Sequence, residues 1–324
     1  MQNETLCPVL SVRNLRTYFD TNEGVVKSVD GVSFDLHEGR TLGIVGESGC
    51  GKSITSLSIM GLIPTPPGWI ESDGILFKGQ DLLTLSEDEM NMIRGNEIAM
   101  IFQEPMTSLN PVMQVGDQIA EALLLHKPIT ATEAKSRTID LMRQVKIPNA
   151  EKRYYEFPHE LSGGMRQRVM IAMALSCEPE ILICDEPTTA LDVTIQAQIL
   201  ELIDELKQTY KSTIMMITHD MGVIAQMADE VIVMYGGKAV ECAPVDDLFY
   251  DPLHPYTQAL LDSIPKLHKD EPLKSIRGVV PKASDMPCGC SFHPRCDFAK
   301  EICQTQPPEV SMADGRKVTC WRYA

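Results

Sequence analysis

A glycine-rich run between two apolar segments constrains the fold of this chain most. Residues 46–53 read GESGCGKS and fit the phosphate-loop pattern G-x-x-x-x-G-K-[ST]. The run follows a strand candidate at Thr41–Val45 and leads into a helix candidate at Ile54–Leu62, which is the context that the pattern requires. Glycines let successive N–H groups turn towards a di- or triphosphate, and the helix start adds its positive dipole end. The predicted phosphate-binding residues are Gly46, Glu47, Ser48, Gly49, Cys50, Gly51, Lys52 and Ser53.

This loop predicts an α/β fold and a nucleoside triphosphate as ligand. We expect Lys52 to reach the β- and γ-phosphates and the Ser53 hydroxyl to bind Mg²⁺. A chance glycine-rich turn between a strand and a helix is the alternative, and the flanking segments argue against it.

A second run suggests another phosphate-binding helix start. Residues 161–167 read LSGGMRQ, in which Ser162 is a typical N-cap residue and a helix candidate extends from Met165 towards Leu175. The two runs lie more than one hundred residues apart in one chain. This separation predicts a nucleotide that is shared between two subunits.

Two acidic residues end an apolar strand candidate at Ile181–Cys184. Asp185 and Glu186 follow it directly, and ligands of parallel sheets gather beyond the carboxyl ends of strands. We therefore expect Asp185 to hold Mg²⁺ through water and Glu186 to polarise the attacking water. An isolated Asp-Glu pair would more often be a solvated turn.

Together these runs resemble the ATP-binding-cassette (ABC) ATPases over about residues 8–250, with LSGGMRQ similar to the signature sequence of that family. The resemblance implies a phosphate-loop NTPase (RecA-like) core with an antiparallel β-subdomain and an α-helical subdomain at about 104–179, all within residues 1–251. It implies that Glu186, His219 and Gln103 act in catalysis, with Gln103 also touching Mg²⁺ or the water. It further implies nucleotide contacts from Ser162, Gly163, Gly164, Gln167 and Asp192. Phe19 is expected to stack on adenine, with Tyr18 as the alternative.

The resemblance narrows to the ATPases of oligopeptide and dipeptide importers on the segments 104–111, 185–194 and 254–261. It implies an ATP-hydrolysing subunit with three kinds of partner: a second, related ABC ATPase chain, two transmembrane permease subunits and an extracytoplasmic solute-binding protein. A nickel or metal-chelate importer is the first alternative. A non-transport ABC ATPase that acts on DNA or ribosomes is the second, and it predicts tandem cassettes or a basic surface, neither of which the sequence contains.

Charge and hydropathy limit the location and the partners. The net charge of −16 argues against nucleic acid as a partner. The N-terminus lacks the pattern of a signal peptide, and no apolar stretch approaches the ~20 residues of a membrane span. We expect a peripheral protein at the cytoplasmic face of the cell membrane.

Half of the ten cysteines lie in the predicted C-terminal extension, residues 252–324. Four are spaced C-x5-C-x6-C-x16-C, unlike the C-x2-4-C pairs of structural zinc sites, and the family resemblance implies a [4Fe–4S] cluster. Zinc and no metal remain the alternatives. The predicted ligands are Cys290, Cys296, Cys303 and Cys320. We expect Cys288 to be a spare, Arg295 and His293 to be solvated, and ATP binding to survive loss of the cluster.

Overall fold

The chain folds into two compact units, of which the first contains residues up to 83 and from 217 onward, and the second residues 84–216. A computed structural model describes residues 7–189, 191–264 and 275–324. Each unit contains a sheet with packed helices, as the predicted α/β class requires.

The first unit opens with an antiparallel sheet around two long strands. Its order is β2-β1-β5-β6, and β4 also pairs with β1. The sequence predicts three short strands in this region, whereas β1 and β2 each span 14 residues. Shifts of register along the pair let both strands continue past their polar residues. The elements, in chain order, are β1 (Pro8–Thr21), β2 (Gly24–His37), β3 (Thr41–Val45), α1 (Lys52–Ile59), β4 (Gly68–Glu71), β5 (Gly74–Phe77), β6 (Gln80–Asp81) and a 3-10 helix at Leu82–Thr84.

The second unit packs helices against short, fully buried parallel strands. The strand order is β9-β8-β7, and α7 packs on β7 and on α3, α4 and α5. All residues of β7 and β8 are buried, which matches their near-continuous apolar sequence. The elements are α2 (Glu87–Ile93), β7 (Ile98–Ile101), α3 (Pro105–Ser108), α4 (Val115–His126), α5 (Ala131–Gln144), α6 (Ala150–Arg153), a 3-10 helix at Pro158–Glu160, α7 (Gly163–Leu175), β8 (Ile181–Asp185), α8 (Val193–Tyr210) and β9 (Thr213–Thr218).

The amphipathic pattern from Val115 to about Met142 predicts helical structure, and the chain forms two helices there with a break between them. Helix α4 ends at His126, and α5 begins at Ala131. Pro128 cannot donate a helical hydrogen bond and disfavours a helical Lys127, which is extended. A capping box then starts α5, since Thr130 and Glu133 each accept a backbone N–H from the other. The two helices share a core of Ala120, Leu123 and Ala134.

The rest of the chain completes the first unit with a mixed sheet of order β12-β13-β11-β10-β3. Strand β10 is parallel to β3 and antiparallel to β11. A turn at Gly236 and Gly237 joins β10 to β11, as the pair of glycines predicts. Both glycines have positive φ (55° and 80°), as a tight hairpin turn requires. The elements are α9 (Met221–Met227), β10 (Glu230–Tyr235), β11 (Lys238–Pro244), α10 (Val245–Tyr250), α11 (Pro255–Asp262), 3-10 helices at His293–Arg295 and Glu301–Gln304, β12 (Glu309–Ser311) and β13 (Lys317–Thr319).

The C-terminal region docks on this unit through ordinary sheet and side-chain contacts. Strand β13 pairs antiparallel with β11, matching Val318 to Glu241. Arg316 donates to the backbone oxygen of Asp251 at 2.9 Å and to its carboxylate at 3.1 Å. Among the described residues, the C-terminal region is therefore attached partly by backbone pairing of strands. The weak apolar periodicity of this region did not predict that pairing.

Candidate functional site

The phosphate loop lies in the first unit, between β3 and α1, as predicted. Gly51 has φ 101°, and a Cβ there would lie 2.2 Å from the Ser28 carbonyl oxygen, so the turn requires glycine. Lys52 is only 5% exposed, and its Nζ donates to the carbonyl oxygens of Gly46 at 2.8 Å and Glu47 at 3.2 Å. The loop thus holds a buried ammonium group at the start of a helix, which suits a polyphosphate anion.

Glu47 is held by the C-terminal region. Arg295 donates from Nη1 to Oε2 at 2.7 Å and from Nη2 to Oε1 at 3.1 Å, and the Glu47 amide donates to the Tyr256 hydroxyl at 2.9 Å. These hydrogen bonds raise the pKa of Arg295 above its usual value. The prediction that Arg295 is solvated is wrong, since it is 6% exposed.

An aromatic cluster lies beside the contact between Arg295 and Glu47. Tyr235, Tyr256 and Phe292 are almost fully buried, with ring centroids 4.7–5.3 Å apart. Burial raises the pKa of both tyrosines, so their hydroxyls remain protonated at neutral pH. No local sequence pattern reveals the contacts of Tyr256 and Arg295 with Glu47, because these residues lie 209 and 248 positions away from it.

The two candidates for adenine stacking differ in their surroundings. The Tyr18 hydroxyl donates to Asp30 Oδ1 at 2.5 Å, and its ring packs edge-on against Trp69. The half-buried Phe19 lies beside Gly68, where a Cβ would come within 2.9 Å of its ring. Both residues belong to β1, and the Tyr18 side chain is engaged within the sheet. The stacking of Phe19 on adenine stays a prediction.

His219 follows β9 and is exposed in the first unit. The next residue, Asp220, is the N-cap of α9 and accepts from the Gly222 amide at 2.7 Å. The histidine thus sits on a short connection that is fixed on both sides by regular structure.

The second unit brings two predicted catalytic residues together. The Gln103 side chain donates from Nε2 to Glu186 Oε2 at 3.0 Å, and the Thr189 hydroxyl donates to the same oxygen at 2.8 Å. Glu186 has φ 46°, a left-handed conformation that is uncommon for a residue with a side chain. Asp185 immediately before it ends β8 and is 4% exposed. Thr189 was not predicted as part of this group.

The second glycine-rich run starts α7 in the way that its sequence predicts. Ser162 is the N-cap, and its side chain accepts from the Met165 amide. A Cβ on Gly164 would come 3.0 Å from Ile195 of α8, so glycine allows close packing there. Gln167 is 2% exposed. Asp192 is the N-cap of α8 and accepts from the Ile195 amide at 3.0 Å, which gives it a structural role within the unit.

The four predicted cluster cysteines are neighbours in the first unit. Burial, and to a lesser extent the thiols of Cys320, Cys303 and Cys296, raise the pKa of Cys290 to about 11. Within residues 7–189, 191–264 and 275–324, however, no group of three or more histidine, cysteine or acidic side chains is arranged to hold a metal ion. The structure therefore does not support the metal-cluster part of the predicted fold.

None of the helices in the described part of the chain is both long and apolar enough to cross a membrane.

Comparisons with known proteins place these features in a family. The sequence profile of ABC transporters matches residues 29–189, and that of the oligopeptide/dipeptide transporter C-terminal region matches residues 240–303. The oligopeptide transport ATP-binding protein AppD of Bacillus subtilis (strain 168) is 52% identical over 317 residues, 97% of each chain. The dipeptide transport ATP-binding protein DppD of the same strain is 51% identical over 315 residues, 97% of this chain and 94% of the relative. A dimeric bacterial ABC transporter cassette superposes with a TM-score of 0.65 at 25% identity, covering 73% of this chain and 98% of the cassette.

Proposed function

This chain belongs to the ABC transporter family, among the ATP-binding proteins of oligopeptide and dipeptide transport, and we infer that it hydrolyses ATP to energise peptide import. The observation that carries this function is the identity of about one half with such proteins over almost the full length. Both matched profiles, one for the cassette and one for the peptide-transporter C-terminal region, occur in the same chain.

We propose that residues 46–53 bind the phosphates of ATP and that Lys52 neutralises their charge. Its buried ammonium group at a helix start supports this role. Ser53, Asp185 and Gln103 are the proposed ligands of Mg²⁺, directly or through water, and carboxylate, hydroxyl and amide oxygens suit that cation. When bound, Mg²⁺ neutralises charge that develops on the phosphates.

Glu186 is the proposed general base, which takes a proton from the attacking water. Gln103 and Thr189 both donate to its Oε2 and so orient the carboxylate. His219 is proposed to contact the γ-phosphate, and Phe19 to stack on the adenine.

Two cassettes are proposed to share each nucleotide. Ser162, Gly163, Gly164 and Gln167 would serve the nucleotide of the opposite subunit, and Asp192 would lie at that interface. The helix start at Ser162 supports an anion contact, because its first amides point out of α7. The second cassette is proposed to be a related chain.

A [4Fe–4S] cluster on Cys290, Cys296, Cys303 and Cys320 is proposed as a structural element. Four cysteine thiols are the usual ligand set of such a cluster, and each would lose its proton on binding. In the structure the four side chains do not form a metal-binding group, so they would have to move closer together to hold it. Such a cluster would cross-link a region with few buried apolar residues.

The chain is proposed to act at the cytoplasmic face of the membrane with two permease subunits and an extracytoplasmic solute-binding protein.

The complex would be purified and reconstituted, and ATP hydrolysis measured with and without a mixture of di- and oligopeptides delivered by its binding protein. We expect peptides to stimulate hydrolysis in the wild type and a Lys52→Ala variant to hydrolyse no ATP. Stimulation by a nickel chelate and not by peptides would contradict the proposed substrate.

A further inference from the structure

A residue between two cysteines of the C-terminal region binds the phosphate loop through its side chain. Arg295 binds both carboxylate oxygens of Glu47, the second residue of that loop, in a bidentate ion pair. The Arg295 side chain is 5% exposed and that of Glu47 is 26% exposed. Such a shielded, two-point pair is stronger and more directional than a surface salt bridge.

Arg295 is itself fixed from several directions. Its Nε donates to the Arg277 backbone oxygen at 2.9 Å, and Nη1 also lies 3.3 Å from the Tyr235 hydroxyl. The guanidinium faces the rings of Tyr235 and Phe292 at 5.8 and 5.9 Å. Contacts with a backbone oxygen, a tyrosine hydroxyl and two aromatic rings therefore hold the guanidinium group in the orientation in which it binds Glu47.

The negative charge of Glu47 opposes phosphate binding, and Arg295 neutralises that charge. A carboxylate within a loop that binds a polyphosphate repels the ligand, and this repulsion is strong where water is partly excluded. The bidentate pair neutralises that charge, while the bond from the Glu47 amide to Tyr256 fixes the backbone at the same residue. Without Arg295, the loop would carry an uncompensated negative charge at its first turn.

We propose that Arg295 is a positioning residue of the nucleotide site, which neutralises and orients Glu47 so that the phosphate loop can accept ATP. The C-terminal cysteine region is thereby a structural part of the nucleotide site. This inference rests on the proposed assignment of residues 46–53 to the phosphates of ATP.

The test measures the Kd for ATP and the melting temperature of the full-length protein. We expect Arg295→Gln to raise the Kd roughly 10- to 100-fold, the usual effect of losing hydrogen bonds to a charged group. Arg277→Gln is the matched control: its side chain pairs with Asp297 at 3.3 Å, is 64% exposed, and should leave the Kd within about twofold.

A double variant separates charge compensation from general damage. In Glu47→Gln/Arg295→Gln the unpaired carboxylate is gone, so ATP affinity should recover most of the loss seen in Arg295→Gln. Arg295→Lys keeps the positive charge but loses the two-point contact of the guanidinium group, so we expect a Kd between those of the wild type and Arg295→Gln. If Arg295→Gln does not fold, the Kd of Arg295→Lys decides the question, and a wild-type value in that variant overturns the inference.

Two results would overturn the inference: wild-type ATP affinity in folded Arg295→Gln and Arg295→Lys, or a double variant that binds no better than the single one. Failure of the wild-type protein to bind ATP would instead contradict the assignment of the loop. The two failures are therefore distinguishable within one set of measurements.

Discussion

The Gln103 amide donates a hydrogen bond to the Glu186 carboxylate at 3.0 Å, although the two residues are 83 positions apart. The contact joins the second residue after β7 to the first residue after β8, and these two strands are adjacent and parallel. Parallel pairing places both strand ends at the same edge, so the proposed general base and its amide donor meet there.

Replacement of Glu186 by Gln should slow ATP hydrolysis by roughly 10²–10⁴, the usual contribution of a general base, because an amide cannot accept the proton of the water. ATP binding should be nearly unchanged, since the shape is kept. Single-turnover hydrolysis and equilibrium binding would measure the two effects. The control is Glu104→Gln, an exposed acid in the same unit, which should retain activity. Wild-type hydrolysis by the Glu186 variant would exclude this base.

A Ser162→Arg variant should bind ATP through its own phosphate loop but fail to complete the opposite site. Loss of the N-cap should also cost about 1 kcal/mol of unfolding free energy. Ser86→Arg is a matched control, because Ser86 caps α2 in the same unit and its loss should cost a similar amount without affecting hydrolysis. ATPase assays of each variant mixed with partner subunits would test this. Normal hydrolysis at every site in the Ser162 mixture would refute a shared nucleotide.

Anaerobically purified protein should be brown if the four cysteines hold an iron–sulfur cluster, with broad visible absorption. Substitution of Cys290, Cys296, Cys303 or Cys320 by Ser should remove most of the absorption. The exposed Cys288 offers the control, since Cys288→Ser should keep it. Iron and sulfide analysis would quantify the result. Colourless protein with stoichiometric zinc, or with no metal after reconstitution, would reject the cluster.

Acidification should destabilise the first unit through His254. Burial lowers the pKa of this N-cap residue of α11 from 6.5 to about 3, and its Nδ1 accepts from the Tyr256 amide. As the pH falls below 6.5, the unfolded chain takes up a proton that the folded chain cannot, so the free energy of unfolding decreases. At pH 5 the decrease is about 2 kcal/mol, and the contribution is absent well above pH 6.5.

Denaturant unfolding between pH 8 and pH 5 would measure this loss. His254→Asn keeps a capping acceptor without a titrating ring, so its stability should vary less with pH than that of the wild type. His159→Asn, at an exposed position, should leave the wild-type pH dependence unchanged. Equal slopes for wild type and His254→Asn would rule out this origin.

The parts of the site that sequence reasoning predicted depend on short-range patterns. The phosphate loop, the helix start at Ser162 and the acidic end of β8 each combine a strand or helix with residues next to it. Backbone geometry within about ten residues determines these features, so local sequence suffices. The end of α4 was also encoded locally, in Pro128 and in the Thr130–Glu133 capping box. The amphipathic pattern on both sides obscured that signal.

The contacts that sequence reasoning missed connect distant segments. Arg295 meets Glu47 across 248 positions, and periodicity carries no information about such pairs. Strands β12 and β13 have three residues each, too few for an alternating pattern to be recognised. Strand β13 pairs with β11 and β12 pairs with β13, so both depend on the edge of β11, which exists only after the sheet has formed.

The position of β12 has a consequence for self-association. An exposed strand edge offers unpaired N–H and C=O groups to other chains, and short strands reduce that hazard. In this sheet β13 covers the edge of β11, and the new edge is the three-residue β12, which begins with Glu309. A chain shortened before residue 309 would leave β11 as a seven-residue edge, open to pairing with a second molecule. We therefore expect the C-terminal region to protect the sheet against aggregation.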